Sequence, residues 1–292
     1  MKRISIVLFI AFLVMACGSN KSINSTEPSQ TSRDSVLIEV EKIKEVREPT
    51  EIVTPISTAI DSVETLSEEF FVRTSQPLET PNHEAFNALL IANVSETGIV
   101  DYKGFEENKK LLENYISSLS ESLPTNTWTK EDKLAYWMNA YNAMTIDLII
   151  RNYPIKSIKE LKKPWEQRLW KLGDKWYNLN EIEHQILRKM NEPRIHFGIN
   201  CASFSCPPLL NEAFNASEVD AQLEKLAIRF INDPQRNSIT TMNVEISEIF
   251  SWFAKDFKQD SSLFEYLNKY SKVKIHPKAR KKHKKYDWTL NE

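Results

Sequence analysis

Glycine is nearly missing from this chain: five residues in 292, of which only Gly104, Gly173 and Gly198 follow position 100. Loop backbone needs glycine to pass through positive φ or to press against a phosphate. With so few, no GxGxxG or GxxxxGKS/T pattern occurs, which excludes the glycine-rich nucleotide-binding loops. Cysteine is scarce as well. The three thiols show no CxxC spacing and no HExxH accompanies them, so Glu183, His184 and His196 offer zinc-ligand chemistry without a zinc motif, and neither metal nor other cofactor is expected. The GxSxG elbow of serine hydrolases is absent too. Charge of one sign is not in excess. The net charge of −2 divides into 11 acidic against 5 basic residues over 18–69 and 29 against 31 from residue 70 onward, a balance that predicts no nucleic-acid partner.

The one sustained apolar stretch is at the start. Lys2-Arg3 precede Ile4–Met15, a run too short to span a bilayer as a helix and of the length of a signal h-region. It closes on Val14-Met15-Ala16-Cys17, which resembles a bacterial lipoprotein signal. In such signals the cysteine becomes the mature N-terminus and carries the lipid. The resemblance implies a signal peptide at 1–16 and lipidation of Cys17. It also implies a cell-envelope protein whose partner is the membrane, in the outer membrane because Gly18 rather than Asp follows the cysteine. Gly18 to Glu69 holds no Phe, Tyr or Trp and is rich in Ser, Thr, Glu and Pro. Such a segment cannot bury enough apolar area to offset its ordering entropy, so 17–69 reads as a lipid-anchored flexible tether, its ends on the order of 40 Å apart. Residues 70–292 then form the globular domain.

Within that domain the periodicity predicts helices over Phe86–Ile91, Lys109–Leu119, Ala216–Ile231 and Glu248–Phe257. The longest runs from Glu131 to Arg151, with apolar residues on nearly every face, the pattern of a buried helix. Trp170-Lys171-Leu172 and Lys175-Trp176-Tyr177 flank Gly173-Asp174, a two-residue hairpin loop. Asn180 reads as the N-cap of a helix, with Glu183 reaching back. Arg194 to Asn200 alternates as a strand, Ile195, Phe197 and Ile199 on one face, Arg194, His196, Gly198 and Asn200 on the other. Ser238 to Ile246 holds further strand material. The fold class is therefore α+β: one helix-rich domain around a small sheet. A papain-like architecture is one form that a buried helix packed on a histidine-bearing strand could take, an analogy only.

Asn139 and Asn142 stand three apart on one side of the apolar helix. Each needs a partner, either as a lining residue of a site or as a bracket to the backbone of neighbouring loops. Asn200-Cys201-Ala202-Ser203-Phe204-Ser205-Cys206-Pro207-Pro208 is the densest polar cluster, presented by a stiff turn. Cys201 and Cys206 have three readings: a disulfide, which the even pair and an oxidising compartment favour, two buried thiols, or a thiolate nucleophile with His196 as base. His184 lies one helical turn from Arg188. Lys272 to Lys285 packs eight Lys or Arg and two His into fourteen positions, a solvated edge or a surface for anionic lipid or polysaccharide.

Six blocks resemble the domain-of-unknown-function family 547. They are Leu134-Ala-Tyr-Trp-Met-Asn-Ala-Tyr-Asn-Ala143, Leu179-Asn-Glu-Ile-Glu-His-Gln-Ile-Leu-Arg188, Arg194-Ile-His-Phe-Gly-Ile-Asn-Cys-Ala-Ser203, Ser205-Cys-Pro-Pro-Leu209, Ile249-Phe-Ser-Trp-Phe-Ala-Lys-Asp-Phe257 and Tyr286-Asp-Trp-Thr-Leu-Asn291. The family pattern has glycine where Ala202 stands. The resemblance implies no activity. It singles out Asn139, Asn142, Glu183, His184, Arg188, His196, Cys201 and Cys206 as shared features, and Asn200 belongs to the same cluster. The functional expectation is a binding module or activity-lost hydrolase-like domain that meets an unidentified envelope ligand or protein. The alternative is a thiol-dependent hydrolase with Cys201 or Cys206 as nucleophile and His196 as base.

Anchoring through Cys17 is directly testable: Cys17→Ser should remove the lipid and release the protein from membrane fractions. Unchanged mass and unchanged membrane retention would overturn the lipoprotein reading.

Overall fold

In a computed structural model, residues 80–292 are described. The readings made for the signal at 1–16, for Cys17, for the tether at 17–69 and for the start of the domain at 70 lie outside them. The organising element is the long helix α4. Among the described residues three helices precede it, α1 (Glu84–Asn93), α2 (Tyr102–Glu107) and α3 (Lys109–Ser118), and α4 spans Lys130–Ile150. Thr129 starts α4 with a capping box: its side chain accepts the Asp132 amide while Asp132 accepts the Thr129 amide, satisfying two end donors reciprocally. From Leu134 to Ile150 every residue is buried. Packing on all sides has a sequence cause, since apolar residues cover the whole helix rather than one stripe. Helices α2 and α3 pack on one flank and the 179–190 stretch on another.

The hairpin forms as the sequence predicts. β1 (Trp170–Leu172) and β2 (Lys175–Tyr177) pair antiparallel, and Gly173 turns between them at φ +57°, where a Cβ would be strained. Trp170 Nε1 donates to Asp147 on α4 at 2.6 Å. After the hairpin comes α5 (Leu179–Glu181), which runs into a π-helical turn at Ile182–Ile186 and a 3-10 turn at Leu187–Met190. The N-cap is Asn178, not Asn180: Asn178 has extended backbone, and its Oδ1 accepts the Glu181 amide at 2.8 Å. Glu183 therefore does not reach back to a cap.

A second correction concerns 194–200. Ile195–Gly198 is a helical turn, α6, and only from Ile199 does the backbone extend. The alternation misled because it implied two environments where there is one: Ile195, His196, Phe197 and Gly198 are all buried. With His196 on a helical turn and not a strand, the premise of the papain-like analogy is not met. Helix α7 (Val219–Ile231) packs on α6 and α4. A three-stranded sheet follows, β3 (Ser238–Ile239) antiparallel to β4 (Asn243–Ile246), and β4 parallel to β5 (Arg280–His283). Between β4 and β5 lie α8 (Ile249–Trp252), α9 (Ala254–Phe257) and α10 (Leu263–Tyr270). β5 falls in the basic run, whose charges line an edge strand and blunt it against further pairing. Helices surround two small sheets over one continuous apolar core, the helix-rich α+β domain read from the sequence.

The two asparagines of α4 are brackets. Asn139 Nδ2 donates to Phe214 O and its Oδ1 accepts the Phe214 amide, both at 2.9 Å. Asn142 Nδ2 donates to Gly198 O at 3.0 Å and its Oδ1 accepts the Asn200 amide at 2.9 Å. Gly198 lets the chain approach this closely, since a Cβ there would collide with Met138 and Phe214. Replacing Asn139 with Ala would strand a buried N–H and a buried C=O at Phe214. It should cost roughly 2–4 kcal/mol in urea denaturation. A loss below about 0.5 kcal/mol, the range of an ordinary surface change, would contradict the bracket role.

Candidate functional site

The bracket at Asn142 delivers the chain into the cysteine loop, which is then held from three further directions. Asn200 donates to Pro207 O at 2.8 Å and accepts the Ala202 amide at 2.7 Å, closing the loop on itself. Arg236 spans its far side, donating to Phe204 O at 2.7 Å and Cys206 O at 2.9 Å. The C-terminal segment lies alongside, where Phe204 N donates to Thr289 O at 2.7 Å and Ser203 pairs with Leu290. Within this clamp Ala202 adopts φ +61°. An L residue in the left-handed region is disfavoured by about 1 kcal/mol, which gives the physical reason for glycine at that position in the family pattern.

Cys201 and Cys206 are both free thiols; the bridge favoured by the even pair is not formed. They are placed unequally. Cys206 is buried, and its Sγ accepts the Cys201 amide at 3.1 Å. Cys201 is partly exposed and lies 3.1 Å from Ser203 Oγ and 3.4 Å from Tyr286 Oη, which are 2.8 Å from each other. Hydrogen bonding from Cys206 foremost, then from Ser203 and Tyr286, pulls the Cys201 thiol below the ordinary cysteine value against the opposing effect of burial. Burial pushes the Cys206 thiol up, and the neighbouring Cys201 adds to it. Two identical side chains thus differ in ionisation because hydrogen bonds outweigh burial at Cys201, whereas burial and the neighbouring Cys201 prevail at Cys206.

Cys201 opens into a cleft of about 310 Å³, within the size range of small-ligand sites. Glu183 and Tyr141 form one wall, Tyr141 donating to Glu183 Oε2 at 3.2 Å. Glu183 is positioned by the π-helical turn, a local departure that recurs at functional sites. Burial raises its carboxyl from 4.5 to about 7, and the charge of Cys201 adds to the rise. His184 and His196 line the cleft as well. His196 Nε2 is 2.9 Å from Asp256 Oδ2, and its ring stacks on Phe253 at 3.9 Å. Arg188 grips the same carboxylate with two bonds of 2.6 and 2.8 Å and donates to His184 Nδ1 at 3.0 Å. Burial disfavours the charged form of both histidines, while the bonds from His196 and Arg188 overcome burial at Asp256 and hold its carboxyl well below the usual range. No hydrogen bond joins His196 to either cysteine among the described residues. Trp165, Trp252 and Trp288 line the mouth with Tyr286, Trp252 and Trp288 stacking at 5.7 Å.

The structure therefore gathers Cys201, Cys206, Glu183, His184 and His196 around one cleft. Asn139, Asn142 and Asn200 do not line it; they hold the backbone behind it. Arg188 stands one layer back, reaching the cleft through Asp256, His184 and Phe253. Tyr141, Ser203, Asp256, Tyr286 and the three tryptophans are not among the site residues that the sequence singles out, although all of them but Trp165 fall inside the recognised blocks. Tyr141 was hidden in the apolar periodicity of α4. Among the described residues no group of three or more His, Cys, Asp or Glu side chains is arranged to hold a metal ion, and no helix is long and apolar enough to cross a membrane.

A family model described as a protein of unknown function, DUF547, matches residues 125–231. The match covers α4 through α7, including both cysteines, Glu183, His184 and His196. It stops short of Asp256, Tyr286 and Trp288. No curated protein matches the chain, and no solved structure does.

The pH dependence of stability tests the environment of Glu183. Its folded value near 7 lies above the usual 4.5, so the folded state binds the extra proton between those values and stability falls as pH rises through that window. Glu183→Gln keeps an acceptor for Tyr141 but cannot ionise. The variant should match the wild type near pH 5 and exceed it at pH 8 by roughly 1–3 kcal/mol in urea denaturation. A difference that does not change with pH would show that Glu183 is not buried as an acid.

Proposed function

We propose that the cleft is a thiol-dependent acyl-transfer site, a hydrolase centre with Cys201 as nucleophile, in a domain that Cys17 anchors to the outer membrane of the cell envelope. The supporting observation is the pairing, in one cleft, of an unbridged thiol that its neighbours favour as thiolate with a buried carboxyl that retains its proton near neutrality. The inert-module expectation leaned on a bridged pair, and the thiols are free. His196, expected as base, is committed to Asp256, and Glu183 takes its place.

The chemistry balances with these groups alone. The Cys201 thiolate attacks an acyl carbon, forming the S–C bond. The leaving group departs with the proton of Glu183, whose value near 7 suits proton transfer at neutral pH. Water then attacks the thioester, gives its proton to the Glu183 carboxylate, and the C–S bond breaks to restore the thiolate. His196, Asp256 and Arg188 act as a rigid wall, and Tyr141 orients the Glu183 carboxyl.

A second reading has its own support. Trp165, Trp252 and Trp288 give the mouth a set of flat apolar faces, which suits a binding module that holds a ligand without changing it.

Alkylation separates the ionisation question from the catalytic one. Iodoacetamide should label wild-type protein at Cys201 alone, with a half-maximal rate well below pH 8.5, the ordinary cysteine value. Labelling should vanish in Cys201→Ser. p-Nitrophenyl acetate should then release one nitrophenolate per thiol in a burst that the same substitution removes. A midpoint at the ordinary cysteine value would sink the thiolate reading. A reactive thiol without a burst would leave the binding module.

A further inference from the structure

Cys206 forms no bond to the acyl group, yet it is placed against the nucleophile, whose thiolate its hydrogen bond favours. Its Sγ accepts the Cys201 amide at 3.1 Å and lies 3.9 Å from Ile199 O. Both thiols line the cleft, Cys206 buried and Cys201 partly exposed. Four residues of one loop separate the two, and hydrogen bonds hold that loop on several sides. Asn200 holds Pro207 O, Arg236 holds Cys206 O and Phe204 O, and Asn142 holds the chain before Cys201. An open sulfur that ionises readily and a sheltered partner that does not are the two components of a peroxide-sensing dithiol.

We propose that Cys201 and Cys206 form a reversible oxidation site whose co-substrate is a hydroperoxide, and that closing their disulfide switches the cleft off. The proposal rests on the reading of Cys201 as the reactive thiolate, and adds for Cys206 a covalent role beyond favouring that thiolate. In the first step the Cys201 thiolate attacks a peroxide oxygen. The S–O bond forms and the O–O bond breaks, and the departing oxygen leaves as an alcohol, or as water from hydrogen peroxide, with a proton that the Glu183 carboxyl can supply. Sulfur is oxidised by two electrons to the sulfenic acid and the peroxide is reduced by two. In the second step the Cys206 thiol loses its proton and its sulfur attacks that of Cys201. The S–S bond forms, the S–OH bond breaks, and water leaves. Two thiols and one hydroperoxide thus become one disulfide, one alcohol or water, and one further water. Burial of Cys206 orders the steps, because the protected thiol is a poor first target but sits beside the sulfenic acid once it exists. The disulfide removes the nucleophile from the cleft, and an external dithiol restores it by exchange.

The test uses the full chain treated with graded hydrogen peroxide and read by intact mass and peptide mapping. Wild-type protein should lose two hydrogens, yield a 201–206 linked peptide, lose its iodoacetamide labelling and its nitrophenolate burst, and recover both with dithiothreitol. Cys206→Ser, and Cys206→Ala as a second variant should the first melt abnormally by circular dichroism, should instead give a sulfenic acid at Cys201 that dimedone traps. Further peroxide should carry it to the sulfinic acid without recovery. Wild type that accumulates sulfinic acid at the same peroxide dose as the variants, with no linked peptide, would overturn the switch. Alkylation measured before peroxide keeps the two readings apart. A Cys201 that alkylates below the ordinary cysteine pH but never pairs refutes only the switch, and one that does neither refutes both.

Discussion

Everything at the cleft depends on one constraint: a helix buried on every side must still satisfy two amides. Asn139 and Asn142 sit where no water reaches, and an unpaired amide there would be costly. Both are satisfied by loop backbone, each through one donor and one acceptor. The solution imposes register on the segments they hold. Because Asn142 takes the carbonyl of Gly198 and the amide of Asn200, the next residue, Cys201, emerges at one place relative to α4. Tyr141, its neighbour on the same helix, orients Glu183 across from it. A single helix thereby positions both the thiol and the carboxyl.

The cleft shows how like residues are given different chemistry by surroundings. Asp256 accepts from a guanidinium and an imidazole and remains a carboxylate. Glu183 has one phenol donor and apolar burial, and keeps its proton near neutrality. The cysteines divide in the same way, with hydrogen bonds prevailing at Cys201 and burial at Cys206. Pushing titratable groups apart in this manner is the arrangement expected where an acid and a nucleophile must coexist at one pH. The Arg188–Asp256–His196 assembly is a hydrogen-bonded network that also reaches His184 and packs on Phe253.

The thiols and the stretch that bears them were legible because polar residues were dense there and two prolines stiffened the turn. The pairing of Asn139 and Asn142 was legible as a question, since their spacing put both on one side of a buried helix. Other parts were not. The π-helical turn that aims Glu183 has no residue signature and follows from how 182–186 packs against α4. Asp256 reads as one of many surface acids until the fold brings it 60 positions back to His196. Tyr286 and Trp288 lie far along the chain beside a basic run, and no local pattern connects them with Cys201.

By itself the sequence determined the helix-rich α+β class, the buried helix, the hairpin at Gly173-Asp174 and the identity of the thiol loop. These follow from local properties: periodicity, turn chemistry and composition act over a few residues and need no partner. Only the tertiary structure decided that 194–198 is helical, that the cysteines stay unbridged, and that His196 belongs to Asp256 while Glu183 faces the thiol. Alternating apolar and polar residues specify a strand only if one face meets water, and burial of both faces removed that condition. Which donor meets which acceptor depends on contacts between distant segments, and those exist only once the chain has folded.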